Sequence, residues 1–157
     1  MIPTTLGGET TDDIIPNDVK NKAISLRIFI VENIKSAQSR NNEIHIIGSS
    51  TGGMTALLLS EKFNFKMYLI NPLLAKEQFF DQNHPVGPLL DGISKKILSL
   101  SFFNNKIKIY LGINDELLNP EYTIDFAKSK NIEVITFEGE HTGTESLEMI
   151  VDLIKNS

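Results

Sequence analysis

Ser50 lies in Gly48-Ser49-Ser50-Thr51-Gly52, with Gly53 directly after. A serine hydroxyl is a poor nucleophile at neutral pH and needs a base to take its proton. His141, in the loop Glu138-Gly139-Glu140-His141-Thr142-Gly143, could take that proton and return it to a leaving group. Asp115, in Asn114-Asp115-Glu116, could fix the imidazole tautomer and stabilise the imidazolium. The backbone N–H of Thr51, next after the serine, could donate to a developing oxyanion. Together these residues suit cleavage of a small acyl ester or thioester through an acyl-enzyme. Each also has a plainer reading. The glycine–serine segment could be a simple loop or a phosphate site, His141 a solvated surface residue, and Asp115 a turn former. Glu116 and Glu140 compete for the acid role. Three candidates in the order Ser, Asp, His coincide by chance far less often than any one of them.

These residues need elements that bring them together. The β-branched run Ile44-His45-Ile46-Ile47 predicts a buried strand, and Met54 to about Lys62 predicts a helix, so Ser50 falls on a strand–turn–helix bend. The flanking glycines let backbone approach closely there, and the first amides of the helix point at an anion above the serine. Lys66 to Ile70 reads as the next buried strand, stopped by Asn71-Pro72. Ile107 to Gly112 and Glu133 to Phe137 read as two more. Helices are expected from Asn119-Pro120 to about Ser129 and from Thr144 to Ile154, the latter opening on Thr144-Glu145-Ser146-Leu147. Upstream, a short strand at Met1-Ile2 and a polar stretch to Pro16 precede a helix that starts at Asn17-Asp18. Ala23, Ile24, Ile28, Val31 and Ile34 line one face of that helix, and Ser36 to Asn42 form a polar connector.

Between Leu73 and Phe103 the pattern is weak. Ala75 to Asp81 could be helical, residues 83–88 form a loop, and Leu90, Ile93, Ile97 and Leu100 are spaced for a helix face within Leu89 to Ser101. Phe79, Phe80, Val86, Leu89, Leu90, Phe102 and Phe103 could line an acyl pocket or fill the core.

Alternating strands and helices, with short apolar runs in the strands, predict an α/β fold. Its sheet is doubly wound and mostly parallel, in one domain over residues 1–157. In such sheets ligands sit past the carboxyl ends of the strands, where Ser50, Asp115 and His141 all fall.

Composition narrows the function. The 157-residue chain carries a net charge of −5, with no basic stripe to neutralise phosphates, so nucleic-acid binding is not expected. It has no cysteine, which excludes disulfides and thiol catalysis. No apolar run approaches the roughly 20 residues of a membrane helix, and the N-terminus does not read as a signal peptide, so a cytoplasmic protein off the membrane is expected. The three histidines show no metal-ligand spacing, and neither metal nor cofactor is expected. His45, inside a strand, reads as a core residue with one hydrogen bond. His84 sits in a Pro/Gly loop with no chemistry assigned.

Gly48-Ser49-Ser50-Thr51-Gly52-Gly53, Leu69-Ile70-Asn71-Pro72, Asn114-Asp115-Glu116-Leu117-Leu118 and Glu138-Gly139-Glu140-His141 together resemble the small bacterial esterases of the YqiA-like (UPF0227) branch of the α/β-hydrolases. The resemblance implies a minimal α/β-hydrolase fold with little or no lid. It also implies Ser50 as nucleophile, Asp115 as acid and His141 as base. Relatives begin with a strand and a His-Gly loop that supplies a second oxyanion donor. This chain starts about where the following strand would lie, and Leu6-Gly7-Gly8 does not follow a convincing strand. Either another group supplies that donor or the oxyanion hole is half-built, which leaves an alternative: a weak or inactive member acting as a small-molecule or protein binding module. An uncovered sheet edge would also invite a homodimer.

Overall fold

The computed structural model describes residues 32–40, 43–101 and 106–156. The expected strand at Met1-Ile2, the Leu6-Gly7-Gly8 segment, the helix start at Asn17-Asp18, and Phe102 and Phe103 lie outside the described residues. The chain falls into two compact units, Met1–Ile44 and His45–Ser157. In the first, residues 32–39 are helical. The helix therefore runs through Ser36 to Ser39, where a polar connector was expected. The Ser39 hydroxyl donates to the Ser36 carbonyl at 2.8 Å, so its polar side chain serves the last turn.

The described residues of the second unit form four strands: β1 (His45–Ser49), β2 (Lys66–Ile70), β3 (Ile107–Gly112) and β4 (Glu133–Phe137). They pair in parallel in the order β1-β2-β3-β4. Four α-helices alternate with them: α1 (Thr51–Leu59), α2 (Asp91–Ser99), α3 (Pro120–Lys130) and α4 (Thr144–Lys155). Parallel neighbours need crossovers, which α1, α2 and α3 provide, while α4 follows β4.

Residues alternate between the two faces of a strand. On one face Tyr68, Ile70 and Tyr110 form a buried cluster with Ile150 of α4, and Ile135, Phe137 and Ile154 pack against it. Their neighbours Met67, Leu69, Ile107 and Ile109 turn the other way and are fully buried. On that side α1 meets Gly48, whose absent side chain would collide with the α1 backbone. Both faces are thus covered, and the two central strands are buried along nearly their whole length.

β1 differs from expectation. It runs from His45 to Ser49 and is only partly buried, with Ile47 39% exposed. A β-branched run does not distinguish a central strand from an edge strand, since the same residues favour both.

Local chemistry sets the helix ends. The Asn119 side chain accepts the Glu121 amide at 3.0 Å, and Pro120 fills the first turn of α3. Asn131 closes α3 in the left-handed region at φ 54°.

The middle segment also departs from its pattern. Ala75 to Asp81 holds only a single 3₁₀ turn, Lys76–Gln78. The buried Gln78 side chain accepts the Leu74 amide at 2.8 Å and donates to the Pro72 carbonyl and the Thr123 hydroxyl. The Phe80 amide donates to the Leu117 carbonyl at 3.2 Å and the Gln78 carbonyl accepts the Asn119 amide at 2.7 Å, so backbone groups that a continuing helix would have used pair elsewhere. Leu89 to Ser101 splits into a 3₁₀ turn at Gly87–Leu90 and then α2.

Candidate active site

The carboxyl ends of β1, β3 and β4 each release a loop toward the same place. The first is a single residue. Ser50 joins β1 to α1 at φ 50° and ψ −117°, a left-handed conformation that costs a non-glycine residue roughly 1–3 kcal/mol. Backbone bonds hold it there. Its N–H donates to Ile70 and its carbonyl accepts from Gly53 and Leu73, each at 3.0 Å. A Cβ on Gly48 would lie 2.6 Å from the Gly52 carbonyl oxygen, and one on Gly53 would lie 2.8 Å from the Pro72 Cβ. Gly52, the second glycine of the motif, faces open space. The tight approach therefore belongs to Gly48 and Gly53, not to both glycines flanking the serine.

The acid and base loops continue the β3–β4 ladder. Ile113 donates to Phe137 and Asn114 to Gly139, both at 3.1 Å. Gly112 permits this, because a Cβ there would lie 2.6 Å from the Gly139 oxygen. One residue further on, Asp115 is buried, its side chain 1% exposed. Its Oδ1 accepts the amides of Leu117 and Leu118 at 2.9 and 2.8 Å. Oδ2 is left for His141 Nδ1, at 2.8 Å. An ionised carboxylate only accepts, so Nδ1 carries the proton and Nε2 is free to accept. His141 Nε2 lies 3.1 Å from Ser50 Oγ. The three side chains are thus hydrogen-bonded in series.

The His141 ring is hydrogen-bonded to neither competing acid. Glu116 is exposed, and its Oε2 accepts the backbone amide of His141 at 3.2 Å rather than a ring nitrogen. Its own amide first, and then the His141 amide, hold its carboxyl below the ordinary value. Glu140 is also exposed, and its carbonyl accepts from Asn71. Thr51 opens α1, so its amide has no carbonyl one turn back to bond.

The other histidines do not join the site. His45 Nδ1 lies 3.2 Å from the Tyr68 hydroxyl. His84 stacks on Phe79, ring centroids 4.1 Å apart, and its Nδ1 accepts the Val86 amide. The expected apolar lining divides. Phe79 and Leu90 belong to a buried cluster with Leu73 and Leu118, while Phe80 and Leu89 are exposed. Val86 is half-buried beside the cluster, with Met54 and Leu117. Among the described residues no group of His, Cys, Asp and Glu is arranged to hold a metal ion. None of their helices is long and apolar enough to cross a membrane.

Asn71 is the residue whose part in the site the sequence reading missed. It stood there as a strand stop and as part of the Leu69-Ile70-Asn71-Pro72 motif, with no role in the site. Its side chain reaches the last residue of β3 and the loop after β4, and an asparagine beside a proline at a strand end was the available signal.

Parallel sheet, strained serine bend and loops at the carboxyl ends define the α/β-hydrolase fold. The chain resembles solved structures of that kind. One is a candidate hydrolase of the alpha/beta superfamily from Xanthomonas campestris pv. campestris, at 17% identity and TM-score 0.57, covering 85% of this chain and 70% of that one. Another is Est1E from Butyrivibrio proteoclasticus, at 17% and 0.56, covering 81% and 65%. A third is Lip1, a candidate lipase from Acinetobacter baumannii AYE, at 16% and 0.56, covering 88% and 69%. The chain spans about two thirds of the length of these structures, and at such identities the likeness is one of fold. The chain belongs to the uncharacterised protein family UPF0227, whose family model matches residues 14–154. No sequence among curated proteins matches it.

Proposed function

We propose that this protein is a serine hydrolase that cleaves a small ester or thioester through an acyl-enzyme. The observation that supports it most is the pair of hydrogen bonds from His141, 2.8 Å to Asp115 and 3.1 Å to Ser50. In this reading Ser50 Oγ attacks the acyl carbon while His141 Nε2 takes the hydroxyl proton. The carbonyl oxygen becomes an oxyanion facing the Thr51 amide. Collapse expels the alcohol or thiol, which leaves with the proton from Nε2, and the acyl group stays on Ser50. Water then attacks the acyl-enzyme with His141 again as base, releasing the carboxylic acid and the serine. Asp115 holds the imidazole tautomer and stabilises the imidazolium in both halves.

Labelling with a fluorophosphonate tests the reading. The wild-type chain should be labelled under native conditions and Ser50→Ala should not. A wild-type chain that takes no label overturns the hydrolase in favour of a small-molecule or protein binding module of the same fold.

A further inference from the structure

Asn71 is 1% exposed and sits at φ 41°, a left-handed conformation that asparagine tolerates better than most side chains. It immediately follows β2, the one strand whose end contributes none of the three reacting side chains. Every side-chain polar atom it has is committed. Nδ2 donates to the carbonyls of Glu140 and His141, at 3.0 and 2.9 Å. Oδ1 accepts the Gly112 amide at 2.8 Å. Its backbone N–H donates to Tyr110 at 3.0 Å. The residues around it bracket the serine, since Ile70 accepts from the Ser50 N–H and Leu73 donates to the Ser50 carbonyl. One buried amide therefore touches the loop of the base and the strand that leads to the acid, while its chain neighbours hold the nucleophile.

We propose that Asn71 is a positioning residue for His141, fixing the loop so that the imidazole spans Ser50 and Asp115. The proposal rests on the hydrolase reading for its kinetic consequence. Asn71 touches no reacting atom. It acts through the His141 carbonyl, on the same residue whose ring must be placed to within a fraction of an ångström. The ring's own two hydrogen bonds do not fix the backbone beneath it. The Glu116 carboxylate on the His141 amide is exposed and in competition with water, whereas the Asn71 side chain is buried and its two bonds to the loop are partly buried, so they face less of that competition.

Two variants test this. Asn71→Gly keeps the left-handed backbone and removes the side chain. Asn71→Asp keeps the size and the Gly112 bond but turns a donor into an acceptor facing two carbonyls. The full chain of each is assayed with p-nitrophenyl acetate. One-dimensional proton NMR of each, and of the wild type, is read for the downfield resonance of His141 Nδ1–H bonded to Asp115. Expected are a fall in kcat per folded molecule on the order of 100-fold with KM nearly kept, and loss or marked broadening of that resonance. A folded variant that keeps both kcat and the resonance, with only a lower Tm, overturns the proposal. If Asn71→Gly does not fold, Asn71→Asp decides alone. The resonance reports on the His141–Asp115 bond whether or not any ester is turned over, so an inactive wild type would sink the hydrolase reading and still leave Asn71 to be judged.

Discussion

His45 and His141 stand at opposite ends of the same sheet, and both are hydrogen-bonded to another side chain. His45 opens β1 at the amino end, its ring parallel to Tyr68 at a centroid distance of 5.8 Å. His141 follows β4 at the carboxyl end, between a buried carboxylate and a hydroxyl. The first ring is fixed from within the ladder, because the register sets Lys66 opposite His45 and Tyr68 two residues along the same strand. The second ring is placed by loops from three different strands. A histidine within a strand gains packing and a partner. A histidine past a strand end gains a strained serine, an acid with one oxygen already satisfied, and the amino end of a helix. That difference is general to parallel sheets, whose crossovers put every carboxyl-end loop on one edge.

Several substitutions break or sharpen the contrast. The largest effect is expected from Asp115→Asn. The new side chain can still accept the amides of Leu117 and Leu118 through Oδ1, but its amide nitrogen cannot accept from His141 Nδ1. Ester hydrolysis should fall by about 10⁴-fold with the fold intact by circular dichroism. A rate within tenfold of wild type would mean that His141 works without this carboxylate.

Next come the glycines of the serine bend, compared by urea denaturation. Gly48→Ala puts a methyl against the Gly52 backbone and should destabilise by about 1–3 kcal/mol or more. Gly52→Ala has room and a helical position, and should be neutral or stabilising by up to about 1 kcal/mol. Equal losses at both positions would contradict the close approach described for Gly48.

At the amino end, Tyr68→Phe removes the hydroxyl beside His45. It should cost about 1 kcal/mol in stability and leave hydrolysis unchanged, read by thermal melts and the same ester assay. A large loss of rate would show that the two ends of the sheet are not separate in function.

The smallest effect belongs to Glu116→Gln. The Glu116 carboxyl is held below its ordinary 4.5, so its contribution is present above that value and is lost as pH falls through the lowered one. Full exposure keeps it small. The variant should therefore be slightly less stable than wild type at neutral pH, and the small difference should close as the pH falls into the acid range, read by urea denaturation at both pH values. A variant that is much slower at neutral pH would give Glu116 a larger part in holding His141.

Much of the fold was readable because its signals are local. Apolar runs of strand length, the Asn119-Pro120 helix start and the alternation of elements require only neighbours along the chain. The Ser50, Asp115 and His141 positions were readable for a related reason: each lies just past a strand, and parallel topology puts such positions on one edge. The stretch from Ala75 to Asp81 was misjudged because distant backbone partners, Leu117 for the Phe80 amide and Asn119 for the Gln78 carbonyl, compete with the helix that the local pattern favours. The exposure of β1 was missed because composition does not say which strand lies at an edge.

Outside residues 36–39 and the segment from Leu73 to Phe103, the sequence by itself therefore determined the described elements, their order and the identity of three chemically apt side chains, since period, turn residues and motif spacing are properties of the chain alone. Only the tertiary structure decided that Asp115 rather than Glu116 or Glu140 meets the His141 ring, that Gly53 rather than Gly52 admits the neighbouring backbone, and that Asn71 ties the end of β3 to the loop after β4. Those outcomes depend on which atoms from distant segments come within about 3 Å of one another, and hydrogen-bond geometry at that range is set by packing, not by position along the sequence.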